Sequence, residues 1–374
     1  MKIGFDAKRA YFNQTGLGNY SRDTIRILSE FYPSNDYHLF TPKIIDNKRL
    51  DCITNLPQIK CHSPNGILSK SMPSFWRTFL LTNDIRKNKL DIFHGLSHEL
   101  PFNIHRSKTK TVVSIHDLIA IRFPQFFNSI DRYSYVKKSK YACQIADKII
   151  AVSQQTKEDI IRFFGIKESK IEVIYQGCNS VFQNKITKAN LEEVKNKYNL
   201  PKKYLLYVGT IEERKNLMTI LKCLTTLNDF HLVVIGNGKS YKKQCIEYIS
   251  NHNIKNQITF LSQLTLEEMA AIYRQAEMMI YPSFFEGFGI PILEALFSGT
   301  PVITTQGGCF SEAGGTYSAY INPTDIEQLK HEILDISSNS ERRNLMIKEG
   351  KKHASNFTDQ KISKQLMSLY QNLL

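Results

Sequence analysis

Short unbroken apolar runs alternate with longer stretches whose apolar residues recur at helical spacing, and this rhythm continues along most of the 374 residues. Apolar runs bounded by turn residues suit strands buried on both faces, as in a parallel sheet covered by helices. One series of such runs falls at 2–5, 37–40, 92–94, 111–115, 148–152 and 171–175, and a second at 204–208, 231–235, 258–261, 278–281 and 301–304. Strands that alternate with helical segments predict two doubly wound α/β domains. Beyond residue 324 the pattern is helical to the end, and the last stretch carries Ile362, Leu366, Leu369 and Tyr370 at roughly helical spacing. No solenoid-type internal repeat is visible.

Between the two series lies a polar segment rich in Asn and Lys, which places a linker at 181–200 after a first domain at 1–180. The linker is expected to hold at most one short helix. A hydrophobic content of 42% over this length is enough for two cores. The seven cysteines are scattered, odd in number and without a C-x-x-C pair, so they read as reduced thiols and not as a disulfide framework or a zinc site. No apolar stretch is long enough for a signal peptide or a membrane span, and the expected location is cytoplasmic.

The densest chemistry lies at 281–301, YPSFFEGFGIPILEALFSGTP. A buried strand delivers the chain to a loop in which Gly287 and Gly289 let the backbone approach a ligand closely. Pro291 suits the first helical position, and the N–H groups of Gly289, Ile290, Ile292 and Leu293 are expected to point out of the helix start. A pyrophosphate fits there, where the helix dipole favours negative charge. Carboxylates beside a phosphate site need another task, and binding hydroxyl groups is one: Glu286 would face a sugar, and Glu294 would accept from ribose hydroxyls.

This segment resembles the signature of the retaining glycosyltransferases called family 4, two glutamates separated by seven residues, as Glu286 and Glu294 are. The resemblance continues through Ser298-Gly299-Thr300-Pro301-Val302-Ile303, Gly307-Gly308 and Ser311-Glu312-Ala313-Gly314-Gly315, and it covers nearly the whole chain. It implies an α/β GT-B fold, in which two Rossmann-like domains face a cleft and a C-terminal helix crosses back to the first. On that pattern the first, acceptor-side domain spans 1–180, the nucleotide-sugar domain spans 201–355, and the helix at 356–374 packs on the first domain. Ligands of open α/β sheets bind beyond the carboxyl ends of the strands, so motifs on both halves should face the gap.

Four further motifs fit that picture. Gly16 and Gly18 follow the first strand and could lie against a phosphate or sugar; the full G-x-G-x-x-G of a dinucleotide site is not met, because residue 21 is serine. His116 and Asp117 end an apolar strand, and the imidazole is expected to carry a proton near neutral pH. The His-Asp-Leu form resembles the family's first-domain site. Gly209 and Thr210 lead to Arg214 and Lys215, two cations for the charge that develops on a leaving diphosphate. Relatives often carry an arginine directly after the glycine; here that position is Thr210, and the role passes to Arg214 or to another residue. Gly236 and Gly238 resemble a turn beside the base or ribose, and Ser262-Gln263-Leu264 lies in the region expected to contact the base.

The resemblance implies transfer of a hexose from a nucleotide diphosphate to an acceptor hydroxyl with retention, in the synthesis of surface polysaccharide. Mannose from GDP-mannose is the first candidate donor, and a UDP-sugar is the alternative. His116, Asp117, Arg214, Lys215 and Glu286 form the expected catalytic set. Gly16, Gly18, Gly209, Thr210, Gly236, Gly238, Gly287, Phe288, Gly289, Ile290 and Glu294 form the donor-binding set. No residue clearly supplies a nucleophile for double displacement, so the reading favours same-face transfer with the departing phosphate as base. No Asp-x-Asp stands at a strand end, and neither metal nor cofactor is expected.

The formal charge of +14 points to an anionic partner. Basic and aromatic residues interleave at 70–86 and 131–141, which suits an anionic membrane surface carrying a polyprenyl-linked glycan at the inner face of the plasma membrane. Nucleic acid is not expected as a partner, since no finger, RRM or basic-zipper pattern is present. A nucleotide-sugar epimerase of similar architecture is the competing enzyme class.

Overall fold

The computed structural model describes residues 1–66 and 71–374, with the side chains of Lys48 and Cys52 outside the description. Lys70, the first residue of the 70–86 basic stretch, also lies outside the described residues. The chain divides into two compact units, Met1–Gly177 with Asp359–Leu374, and Cys178–Thr358.

The first unit is built on a seven-stranded parallel sheet: β1 (Lys2–Asp6), β2 (Asp36–Phe40), β3 (Ile59–His62), β4 (Ile92–Gly95), β5 (Lys110–Ile115), β6 (Lys148–Ala151) and β7 (Ile171–Val173). Its order is β3-β2-β1-β4-β5-β6-β7, so the winding reverses between β1 and β4. Apolar residues from the strands and covering helices, among them Phe93, Val113, Ile149 and Ile160, close one core. The helix Asp359–Gln371 belongs to this unit and buries Ile362, Leu366, Met367, Leu369 and Tyr370. It lies against the helix Gly16–Phe31, where Arg26 and Asp359 pair at 2.8 Å.

The second unit carries a six-stranded parallel sheet: β8 (Leu205–Val208), β9 (Leu232–Ile235), β10 (Ile258–Leu261), β11 (Met278–Tyr281), β12 (Val302–Thr305) and β13 (Ala319–Ile321). The order β10-β9-β8-β11-β12-β13 reverses between β8 and β11. Leu205, Tyr207, Ile220, Val234, Ile280 and Ile303 anchor its core. Both sheets are doubly wound Rossmann-like layers.

Residues 181–200, read from the sequence as a linker, pack into the second unit. They contain the helix Lys188–Lys197, and Lys197 and Tyr198 both reach Glu268 at 2.6 and 2.8 Å. Glu268 also closes a capping box with Thr265 at the start of the helix Leu266–Gln275, so one carboxylate serves a helix end and a tertiary contact. Phe182 packs edge-on against Tyr273. A polar composition concealed these contacts because few apolar residues carry them. The six cysteines whose side chains are described form no disulfide.

Candidate active site

Ligands of open parallel sheets sit at the reversal point, and in the second unit that point collects most of the sequence motifs. The chain leaves β8 through Gly209 and Thr210, and leaves β9 through Gly236 and Gly238. The two loops are zipped together: the Ile211 N–H donates to the Asn237 carbonyl at 2.8 Å, and Ile211 and Gly238 form a parallel bridge. At Gly236, φ is +157° and a Cβ would stand 2.0 Å from the Gly209 carbonyl oxygen, so only glycine allows this approach.

From the next turn, Arg214 and Lys215 converge on Glu286 in the loop after β11. Lys215 Nζ lies 2.8 Å from Glu286 Oε1, and Arg214 Nη1 lies 2.8 Å from Oε2. Arg214 also donates to the Phe285 carbonyl at 2.7 Å and meets Glu212 at 2.5 Å. The Tyr281 hydroxyl joins the group, 2.8 Å from both Lys215 Nζ and Glu286 Oε1. Burial disfavours the ionised Glu286 carboxylate, but the charges of Arg214 and Lys215 outweigh it and hold its pKa at about 2. Two cations and two carboxylates cancel formally, so the cations are not bare as the sequence suggested.

Beyond Glu286 the loop reaches Gly289, whose φ of +118° caps the helix Ile290–Ser298. Ile290 takes the first helical position and Pro291 the second. The Ile292 N–H already donates to the Gly289 carbonyl at 2.9 Å, and with Gly289 as cap the first intrahelical bond falls to Leu293. Of the four amides expected to face outward, the geometry therefore leaves those of Gly289 and Ile290 for a ligand. Glu294 accepts from the Tyr273 hydroxyl at 2.7 Å. Gly287 is half-buried, whereas the Phe288 ring is buried and packs on Phe357.

In the first unit, Gly16 and Gly18 are not a turn before a helix but its first positions, with Thr15 as cap. Asn13 Oδ1 accepts from the Thr15 and Gly18 amides, and a Cβ on Gly18 would strike the Asn13 carbonyl at 1.8 Å. Gly18 is thus needed for local packing. Gly16 is exposed with open space around it, the only one of the pair available to a ligand.

His116 is buried, with Nε2 2.9 Å from the Leu96 carbonyl and Nδ1 3.3 Å from the Gln176 amide. The ring donates to the carbonyl and accepts from the amide, which is the neutral tautomer. Burial lowers its pKa to about 4, although the Leu96 bond acts the other way. The expectation of a protonated imidazole near neutrality is therefore corrected: desolvation removes that charge. Asp117 accepts from the Ile119 amide at 3.1 Å, and its carbonyl accepts from Tyr135 at 2.8 Å.

Tyr281 and Tyr273 escaped the sequence reading, since a tyrosine in an apolar run reads as core. The signal for Tyr281 was its place at the last position of a strand directly before the loop. Among the described residues no three His, Cys, Asp or Glu side chains gather as a metal-binding set. No helix among them is long and apolar enough to cross a membrane.

A model of Glycosyltransferase Family 4 matches residues 17–181, and one of the group 1 glycosyl transferases matches residues 190–353. The two matches together cover most of the chain, which is a glycosyltransferase. This glycosyltransferase is 25% identical to the O-antigen chain mannosyltransferase B of Escherichia coli over an alignment of 389 positions that covers 100% of both chains. Its fold matches sucrose-phosphate synthase from Thermosynechococcus elongatus at a TM-score of 0.80 and 19% identity, over 100% of this chain and 99% of the other. It matches Anabaena HepE, solved in complex with UDP-glucose, at a TM-score of 0.78 and 16% identity over 100% of both chains. Those two likenesses show the shared GT-B architecture.

Proposed function

We propose that this glycosyltransferase moves a hexose, mannose from GDP-mannose as the first candidate, to a hydroxyl of a glycan or lipid-linked glycan during surface polysaccharide synthesis. The relative named a mannosyltransferase supports the sugar. The observation that carries the chemistry is the Arg214–Lys215–Glu286 cluster at the reversal point of the second sheet. In the proposed reaction the bond from the sugar C1 to the phosphate oxygen breaks, and its electron pair stays on the diphosphate. The acceptor oxygen bonds to C1 on the same face, and its proton passes to the departing phosphate oxygen.

Arg214, Lys215 and the amides of Gly289 and Ile290 would hold the diphosphate charge, each favoured by the low polarity of its surroundings. Glu286 would keep the two cations in place and face the sugar, and Glu294 with Tyr273 would meet the ribose. Gly209, Thr210, Gly236 and Gly238 would let the nucleotide lie close to the backbone. His116, as a neutral group, and Asp117 would position the reacting sugar. No metal is needed in this scheme.

Thermal shift with GDP-mannose, UDP-glucose and ADP-glucose tests the donor, because a ligand that binds only the folded state stabilises it. GDP-mannose should raise Tm most; no shift with any of them would remove the reading. An α-linked product from the α-linked donor, formed equally in excess EDTA, is expected, and an inverted product or full dependence on added Mg²⁺ would refute the mechanism.

The acceptor side is also proposed to rest on anionic lipid. Rings of Phe75, Phe79, Phe102 and Tyr141 follow one another at centroid spacings of 5.1, 5.8 and 4.9 Å. Nearby, the helix Ser129–Ile145 exposes Ile130 and Tyr133 beside Lys137, Lys138 and Lys140. Exposed aromatics with lysines suit a headgroup boundary. Co-sedimentation with phosphatidylglycerol vesicles that weakens with salt is expected, and binding indifferent to lipid charge would count against it.

A further inference from the structure

A cavity of about 660 Å³ opens in the first unit, lined among others by Lys8, Lys43, Arg77, Phe12, Ile44 and Ser63. Lys8 follows β1, Lys43 follows β2 and Ser63 follows β3, so the cavity stands at the carboxyl ends of three adjacent parallel strands. That end of an open sheet is where ligands are received, and the volume lies within the range of small-molecule sites.

Its charge is one-sided, for among the described residues three cations line it and no carboxylate does. The guanidinium of Arg77 is already committed, paired to Asp6 at 2.6 Å and to Glu99, which Lys138 also approaches. Lys8 is different: its ammonium has no hydrogen bond or ion pair among the described residues, yet it is half-buried. Burial, and then the neighbouring charge of Arg77, lower its pKa, although Glu99 and Asp6 act in the other direction. A half-buried cation without a partner costs free energy that an anion would recover. Phe12 and Ile44, each about half exposed (47% and 49%), give the same cavity an apolar wall. The Ser63 hydroxyl adds a donor.

We infer that this cavity binds a phosphate group of the acceptor substrate, held by Lys8 and Lys43, with the acceptor's apolar or sugar portion against Phe12 and Ile44. Naming the ligand as acceptor rests on the transferase reading; the phosphate site itself does not. Arg77, fixed by its two carboxylates, forms the rear of the site and adds its charge at longer range.

The test uses the full chain with GDP in excess, so that the donor site is occupied. Farnesyl phosphate supplies a lipid-borne phosphate, mannose 6-phosphate a soluble one, and methyl α-mannoside an uncharged control, each titrated by calorimetry. At least one phosphate should bind, the control should bind far more weakly, and K8Q and K43Q should each weaken the phosphate about tenfold, as expected for a lost charge-assisted bond. K8R should retain most of the affinity. The phosphate that binds tells whether the acceptor is lipid-linked or soluble. Lys43 is exposed, so K43Q tests the site even if K8Q misfolds. Absence of binding by both phosphates, equal binding of the control, or unchanged affinity in the variants would overturn the inference. If GDP fails to stabilise the protein while phosphate binding still depends on Lys8, the cavity stands and the transferase reading falls.

Discussion

Glu286 accepts from two cations and a tyrosine hydroxyl while nearly buried, and removing its charge exposes what the cluster is worth. E286Q keeps the shape but leaves Arg214 and Lys215 without their shared anion, so a stability loss of about 3 kcal/mol is expected by urea denaturation at pH 7. Transfer activity should fall with it. The pH dependence follows from the direction of each shift. A carboxylate held at about 2 contributes stability that is complete above its unfolded value, about 4.3, and is lost as pH falls toward 2. The gap between wild type and E286Q should therefore close in acid. Buried histidines act in a higher window: burial holds His94 at about 3 and His38 and His116 at about 4, while the unfolded chain protonates near about 6.5. Their contribution is intact above about 6.5 and is lost from there down to about 4 for His38 and His116 and to about 3 for His94, so the urea midpoint should drop across that interval. H116Q should flatten the drop, and an unchanged slope would contradict the buried neutral assignment.

At the scale of elements, the site depends on turns that bring backbones together. G236A adds a Cβ 2.0 Å from the Gly209 carbonyl, and no side-chain rotation relieves a backbone clash. A loss of about 2 kcal/mol or more is expected, with a weaker thermal shift from the donor as the loops after β8 and β9 part. G16A, by contrast, meets open space and should leave stability almost unchanged. Two strands went unseen in the sequence, β3 and β13, and each lies at a sheet edge. β3 reads Ile-Lys-Cys-His with partial exposure and so lacks the unbroken apolar run of a central strand, whereas β13 is apolar, Ala-Tyr-Ile, but only three residues long. The central strands were legible because burial on both faces demands such runs.

For the whole molecule, the terminal helix is the long-range tie of the first unit. Its Tyr370 hydroxyl lies 2.7 Å from His94 Nδ1, His94 Nε2 lies 2.8 Å from Ser114 Oγ, and Ser114 meets the Tyr20 hydroxyl at 2.7 Å, all buried. Y370F leaves one ring nitrogen of His94 unsatisfied and should cost about 1–3 kcal/mol, read as a lower urea midpoint with the slope unchanged. The periodicity of 359–374 was readable from the chain, and so were the alternating elements, the two-domain class and the Glu286-to-Glu294 segment. Those properties are local: apolar period, turn chemistry and residue spacing are set within a few neighbours. Folding set the rest, because it depends on groups far apart in the chain. It paired both cations with Glu286 across some seventy positions, stripped His116 of its water and hence its charge, and drew residues 181–200 into the second core. It also gathered Lys8, Lys43 and Arg77 around one cavity that no stretch of sequence announces.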